Sequence, residues 1–245
     1  MAYTTKKNLA NRKNYGDERA TSKIKYIVLH YTANDGDTDE ANAKYFKNNV
    51  VKASAHYFVD SNSVTQSVPD NYTAWSVGGG KYSNCSSTGG GKFYGKCTNS
   101  NSISVELCDD VKGGGIYPSA ETIANAIELT KQLMNKYSVP ASRVIRHFDV
   151  TGKPCPAYWC GTAAKNAKWK TEFWEKLSGS STSTFKVKIN VDSLNVRKGA
   201  GTSYDIVQAV EKGDVYTIVE TAGNWGKLKS GAGWINVSAA YCTRI

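Results

Sequence analysis

The chain has 245 residues and a formal net charge of +10. That length supports one domain with a sizeable core plus a smaller one, and no stretch approaches the ~20 apolar residues of a membrane span. The basic balance favours polyanions such as nucleic acid, anionic lipid or anionic cell-wall polymer. No RNA- or DNA-reading signature accompanies it and the paired Cys/His spacing of zinc fingers is absent, so neither a nucleic-acid partner nor membrane insertion is expected.

The N-terminus, Met1 to Asn8, leads into a polar stretch (1–21) with no apolar h-region. This predicts synthesis in the cytoplasm without a signal peptide. Ile24–Tyr31 and Tyr57–Val59 read as buried strands, with a helix over Asp39–Asn48 between them. Asn101–Cys108 alternates with period two. Ser119 is a plausible N-cap for a helix over Ala120–Tyr137, whose Ile123, Ile127, Leu133 and Met134 recur at helical spacing. Val144–His147 reads as a short strand. Lys165–Leu177 reads as a helix with Trp169, Phe173 and Leu177 on one core-facing side. This mixture predicts an α/β domain, a central mixed β-sheet flanked by helices. Residues 178–184, all Ser, Thr or Gly, read as a flexible linker, giving domains at 1–177 and 185–245. Beyond the linker, Val187–Val191, Asp214–Thr221, Trp225–Lys229 and Gly233–Val237 are short strands at close spacing, as in a small all-β barrel. That segment carries eight Lys/Arg against five Asp/Glu, so most of the positive charge belongs to the first domain.

All three histidines, His30, His56 and His147, fall in motif-like stretches of the first domain. Neutral imidazole and thiolate are good zinc ligands, and a catalytic zinc keeps three protein ligands and one open position. A His–His–Cys set is therefore a candidate hydrolytic site, against the plainer alternative of three unrelated half-buried histidines. In Asn101–Cys108 the residues Ile103, Val105 and Leu107 share one face, while Ser104, Glu106 and Cys108 share the other. Glu106 can thus look into a groove and move a proton to and from a reacting group, or be a surface glutamate in an ion pair. Lys153 stands two residues before Cys155 in a proline-bracketed segment. It is placed to face developing negative charge, or is a solvated loop lysine. With no secretion signal, the six cysteines read as free thiols or metal ligands rather than a disulfide framework, with a Cys85–Cys97 bridge as the alternative.

Leu29-His30-Tyr31-Thr32-Ala33, Ser54-Ala55-His56-Tyr57-Phe58-Val59-Asp60, Ser102 to Leu107, and Arg146-His147 followed by Lys153-Pro154-Cys155-Pro156 resemble the zinc N-acetylmuramoyl-L-alanine amidases. That family includes phage endolysins and is similar to peptidoglycan recognition proteins. The likeness spans roughly residues 22–177. It implies that His30, His147 and Cys155 bind zinc, that Glu106 is the catalytic acid–base, and that Lys153 stabilises the oxyanion. A tyrosine that some members place before the middle histidine is Ala55 here, and His56 is then structural. Non-catalytic recognition relatives lack the metal cysteine, which this chain keeps. The implied activity is hydrolysis of the amide between N-acetylmuramic acid and L-alanine, lysing Gram-positive, clostridial-type cells. The implied partner is peptidoglycan, met by a monomer that reaches the wall after release, for example through a holin pore.

Leu194 to Tyr204, Val210 to Gly213, Trp225 to Leu228 and Gly233-Trp234-Ile235 resemble bacterial SH3-like domains, which in lysins act as wall-targeting modules. Tyr204, Trp225 and Trp234 are candidates for stacking on a ligand or for barrel core. Two other function classes stay open. One is a wall cysteine peptidase using Cys155 and His147, which needs an activated thiolate; the other is a non-catalytic peptidoglycan-binding protein.

Overall fold

Ile27, Val28 and Leu29 are consecutive, apolar and fully buried, which requires a strand covered on both faces. In the computed structural model, which describes residues 3–177 and 185–245, that strand lies within a six-stranded sheet. The first part of the chain contributes β1 (Thr4–Lys7), β2 (Tyr15–Glu18), β3 (Tyr26–Asp35), β4 (Tyr57–Val59), β5 (Ser63–Gln66), β6 (Tyr72–Ala74), β7 (Ser102–Asp109) and β8 (Val144–Arg146). The sheet order is β1-β5-β4-β7-β3-β8, with β2 and β6 pairing apart from it. Strands β4, β7, β3 and β8 run parallel, while β5 is antiparallel to β4 and carries β1 in parallel on its outer edge. The sheet is thus mixed, as expected from the pattern of elements.

The helices are α1 (Asp39–Asn48), α2 (Cys85–Thr88), α3 (Ala120–Tyr137), α4 (His147–Thr151) and α5 (Ala163–Trp169). The side chain of Thr38 caps α1 and that of Ser119 caps α3 by accepting backbone N–H bonds from Ala41 and Thr122. One face of the sheet, through Ile27, Leu29, Ile103, Val105 and Leu107, packs into a single core with Ile123, Ile127 and Leu133 of α3 and with Trp159, Trp169, Phe173 and Leu177. After α5 the chain makes a π-helical turn at Lys170–Trp174 and closes on Glu175–Leu177. Positions four apart drift by about 40° per step on an α-helix of 3.6 residues per turn. The wider π turn offsets this drift, and the Trp169 and Phe173 rings stack at 5.1 Å. The opposite face of the sheet buries polar groups beside apolar ones: His30, Ser104 and His56 lie among Val28, Ile145 and Phe58.

Two readings change. Arg146 ends β8, and His147 is the first residue of α4 rather than the last of a strand. The Asp149 carboxylate accepts from the Arg146 backbone N–H and guanidinium, which turns the chain into a helix there. The lead-in is also more structured than its polarity suggests, since it supplies β1 and β2. Cys85 and Cys97 are buried free thiols and do not form a bridge.

The chain divides into two compact units, split after Leu177; the expected linker at 178–184 lies outside the described residues. The second unit is all-β: β9 (Phe185–Ile189), β10 (Ser193–Arg197), β11 (Ile206–Glu211), β12 (Val215–Ala222), β13 (Trp225–Leu228), β14 (Trp234–Asn236) and β15 (Cys242–Arg244). They form one antiparallel sheet in the order β11-β10-β14-β13-β12-β9-β15. All seven strands contribute to one core of Val187, Ile189, Leu194, Val196, Val210, Ile218, Leu228, Ile235 and Cys242. Tyr204 is exposed and Trp225 and Trp234 are half-buried, so none of the three belongs to that core.

Candidate active site

The register of the parallel strands builds the site. His30 on β3 stands opposite Glu106 on β7, and Leu29 stands opposite Arg146 on β8. The residue after Arg146, His147, therefore arrives beside His30, and the two rings meet edge to face at 4.8 Å. Cys155 returns from the loop after α4, where its carbonyl accepts the Phe148 N–H, and brings its Sγ to 3.7 Å from His30 Nδ1. The ligand atoms of His30, His147 and Cys155 all lie within 4.8 Å of one another. Glu106 Oε1 is 3.9 Å from His30 Nδ1. This cluster sits at the carboxyl ends of parallel strands, where α/β sheets place their ligand sites.

The donor set fits a zinc ion. Two ligands of a tetrahedral zinc, one nitrogen and one sulfur, sit about 3.6 Å apart given ordinary zinc–ligand bond lengths, close to the His30–Cys155 separation. Among the described residues, His30 Nε2 and both ring nitrogens of His147 are buried with no hydrogen-bond partner, a cost that natural proteins rarely leave uncompensated. Burial first, then the His147 and Lys153 charges, hold the His30 imidazole well below its ordinary range. Burial and Lys153 bring His147 down to about 4. Both rings are thus neutral and keep a free lone pair. Burial and the Glu106 carboxylate push the Cys155 thiol up. A bare thiol there is inert, and a metal would have to draw off its proton.

Burial lifts the Glu106 carboxyl to about 8; Lys153 pulls it back, while Asp37 and Asp109 add to the rise. A carboxyl titrating near neutrality is suited to take and return protons. Lys153 is exposed and lines the cavities on both sides of the centre, one with Glu106 and the other with His147.

The sequence profile of the N-acetylmuramoyl-L-alanine amidases matches residues 20–158, more than half of the chain. The chain belongs to this family. The profile of the bacterial SH3 domain matches residues 192–241. The amidase CwlL of Bacillus licheniformis is 30% identical over 198 residues, covering 77% of this chain and 52% of that protein. The amidase CwlA of Bacillus subtilis is 36% identical over 157 residues, covering 64% and 52%. The chain thus spans about half the length of the curated relatives it matches. A mutant endolysin from Bacillus subtilis superposes with a TM-score of 0.54 at 26% identity, covering 71% of this chain and 99% of that one.

His56 is part of this amidase fold but not of the cluster. The Ser104 N–H donates to its Nδ1, so Nε2 carries the proton and donates to the Tyr72 carbonyl, each at 3.1 Å. The Arg19 guanidinium lies 3.1 Å from Nε2. Burial, then Arg19, brings His56 down to about 3. It is a neutral tie between β4, β6 and β7, with both nitrogens engaged.

Two cavities flank the centre of the amidase unit. The larger, about 720 Å³, runs from Glu106 and Lys153 past Tyr31 and Asp37 to Tyr45 and Phe46 of α1. The smaller, about 400 Å³, lies beside His147 and includes Lys52, Trp75, Tyr82 and Asn99. Part of its wall is the Gly/Ser-rich 78–99 stretch, which is fastened to α4: the Tyr82, Gly91 and Phe93 N–H groups donate to Thr151, Phe148 and Asp149 carbonyls. Gly152 closes α4 at φ +87°, and a Cβ there would strike Cys85 Sγ. Only glycine fits that approach. Lys52, Asn99 and Asp109 were not singled out by motif. Asp109, fully buried and raised to about 7 by burial and Asp37, had only its acidity at the end of an alternating strand to mark it.

Proposed function

We propose that the chain is a zinc-dependent amidase that hydrolyses the bond between N-acetylmuramic acid and L-alanine in peptidoglycan. The observation that carries this reading is the convergence of His30, His147 and Cys155 within 4.8 Å, with unpartnered imidazole nitrogens, in a chain of the amidase family. These three residues would hold the ion. When bound, zinc supplies a Lewis acid that polarises the scissile carbonyl and acidifies the attacking water. Glu106 takes the proton from the attacking water and returns it to the departing L-alanine nitrogen. The Lys153 ammonium, already strong enough to bias Glu106 and both imidazoles, faces the oxygen on which negative charge develops.

The cysteine-peptidase alternative needs a thiol whose pKa is lowered by its surroundings. Cys155 is shifted the other way. The binding-only alternative leaves the near-neutral Glu106 beside a complete donor set without a task. The second unit would bind the wall and raise the local concentration of the first. The deciding experiment is mass spectrometry of digested peptidoglycan with and without a chelator. New L-alanine amino groups that vanish on chelation support the reading; cleavage within the stem peptide, or digestion indifferent to the chelator, would sink it. Turbidity assays on clostridial and Bacillus walls side by side test the expected clostridial host.

A further inference from the structure

The two cavities share Lys153 but differ in charge. Asp37 and Glu106 line the larger one. Among the described residues, the smaller is lined by Lys52 and Lys153 and by no carboxylate. Lys153 faces the reacting carbonyl in the proposed mechanism, which leaves Lys52 as the cation with which this cavity can read its ligand.

Lys52 is held in place by an unusual local structure. Its backbone adopts φ +55°, a left-handed conformation that is strained for a residue with a Cβ and persists only where neighbours enforce it. The enforcing group is Asn14 of the lead-in, which has no solvent exposure. Its Oδ1 accepts the Val51 and Lys52 N–H groups at 2.8 and 3.1 Å. Its Nδ2 donates to the Phe46 and Asn49 carbonyls, both at 2.7 Å. The amide therefore uses both donors and both acceptor positions on one turn. The lead-in fixes the facing wall as well. Arg19 donates to the Asn99 carbonyl at 3.0 Å, and Asn99 Oδ1 accepts the Ser76 and Val77 N–H groups at 3.0 and 2.8 Å. β1 and β2, which bracket Asn14, hold it in place by pairing with β5 of the sheet and with β6.

We propose that Lys52 is a specificity-determining residue of the amidase site, an ammonium set by the lead-in to bind a carboxylate of the stem peptide. The assignment rests on the amidase reading above. On one side of the scissile amide stands an N-acetylated sugar with no charge; on the other stands a peptide bearing carboxylates. A cavity with lysines and no acid is complementary to the peptide side.

The test uses the full chain carrying Glu106→Gln, so that ligand survives the titration. Calorimetry compares a soluble muramyl tripeptide with the same compound whose carboxyls are all converted to carboxamides. Lys52→Gln should weaken the acid ligand about fivefold, the scale of a partly exposed ion pair, and leave the carboxamide unchanged. Lys52→Glu should weaken the acid further, Lys52→Arg should preserve it, and added salt should narrow the acid's advantage. Unchanged acid binding in Lys52→Gln, or an equal loss for both ligands, overturns the proposal while the amidase reading stands. If the chain with Lys52 intact binds neither compound, the amidase reading fails and takes the role of Lys52 with it.

Discussion

Among the described residues, every buried polar or charged side chain, from Asn14 to Thr151, belongs to the first unit, whereas the second buries Val187, Ile189, Leu194, Val196, Val210, Ile218, Leu228, Ile235 and Cys242. Burying ionisable groups costs stability unless each is satisfied, and such groups gather where chemistry is done. The first unit spends its interior on His30, His147, Cys155 and Glu106 and must stabilise that centre with the large apolar core on the other face of its sheet. The second has an interior that only holds it together, so whatever it recognises it must read with its surface. The difference separates a unit that is fragile to single substitutions inside from one that is fragile only at its core packing.

The largest effect expected is loss of the metal. Purified chain should carry about one zinc, and His30→Ala or His147→Ala should abolish both zinc content, measured by elemental analysis, and release of L-alanine termini. Full zinc occupancy in either variant refutes the ligand set. Next in size, Glu106→Gln and Lys153→Ala should keep zinc and fold yet lose turnover on the order of 10²-fold, as for a removed base and oxyanion donor. Ala55 offers no replacement. Near-normal turnover in zinc-loaded Glu106→Gln would mean that another group activates the water.

Much of this contrast was readable before the fold. The alternation of Asn101–Cys108 put Glu106 opposite Val105 and Leu107, and the structure buries the latter two in the core. The Ser119 cap and the helix over Ala120–Tyr137 stand as expected because cap, period and length all agree. Other parts have no local signal. β1, Thr-Thr-Lys-Lys, is polar and mostly exposed, and is a strand only because it pairs with β5. β11 exposes Ile206 and Val207, which defeats a reading by alternation. Asn14 and Arg19 act through contacts 30 to 80 residues away in sequence, which no window can see. The end of β8 was legible in principle, since Asp149 stands three residues after Arg146 in the place of a capping acid.

A smaller effect sharpens the contrast through pH. All three histidines lie in the first unit. His56, held at about 3 by burial and Arg19, stays neutral in the fold but gains a proton below about 6.5 when the chain unfolds. The unfolded state then binds more protons, so stability falls as pH falls through that window. At pH 5 the contribution of His56 is about 2 kcal/mol. The raised carboxyls of Glu106 and Asp109 act with the opposite sign, since their protonated forms suit the fold. The measurement must therefore isolate His56. Urea unfolding of the metal-free chain at pH 7 and pH 5 should show a steeper acid loss for the natural sequence than for His56→Gln. Equal losses would mean that His56 titrates normally in the fold.

The smallest effect on chemistry is expected from removing the second unit altogether. Every proposed site residue precedes Leu177, and the two units have separate cores, so a chain ending at Leu177 should fold and cut soluble muramyl peptides at close to the full-length rate. On intact walls it should act more slowly, because tethering by the second unit raises the local concentration of the first without touching its chemistry. The size of that loss depends on how much the first unit, which carries most of the net charge of +10, binds anionic wall polymer unaided. Salt separates the two contributions. Charge-driven binding by the first unit should weaken as ionic strength rises, while recognition by the second should persist, so the gap between truncated and full-length chains should widen with salt. The isolated segment from Phe185 to Ile245 should bind walls without lysing them. If it binds at no ionic strength, and truncation leaves wall lysis unchanged in high salt, the surface of the second unit does not target the enzyme and its role lies elsewhere.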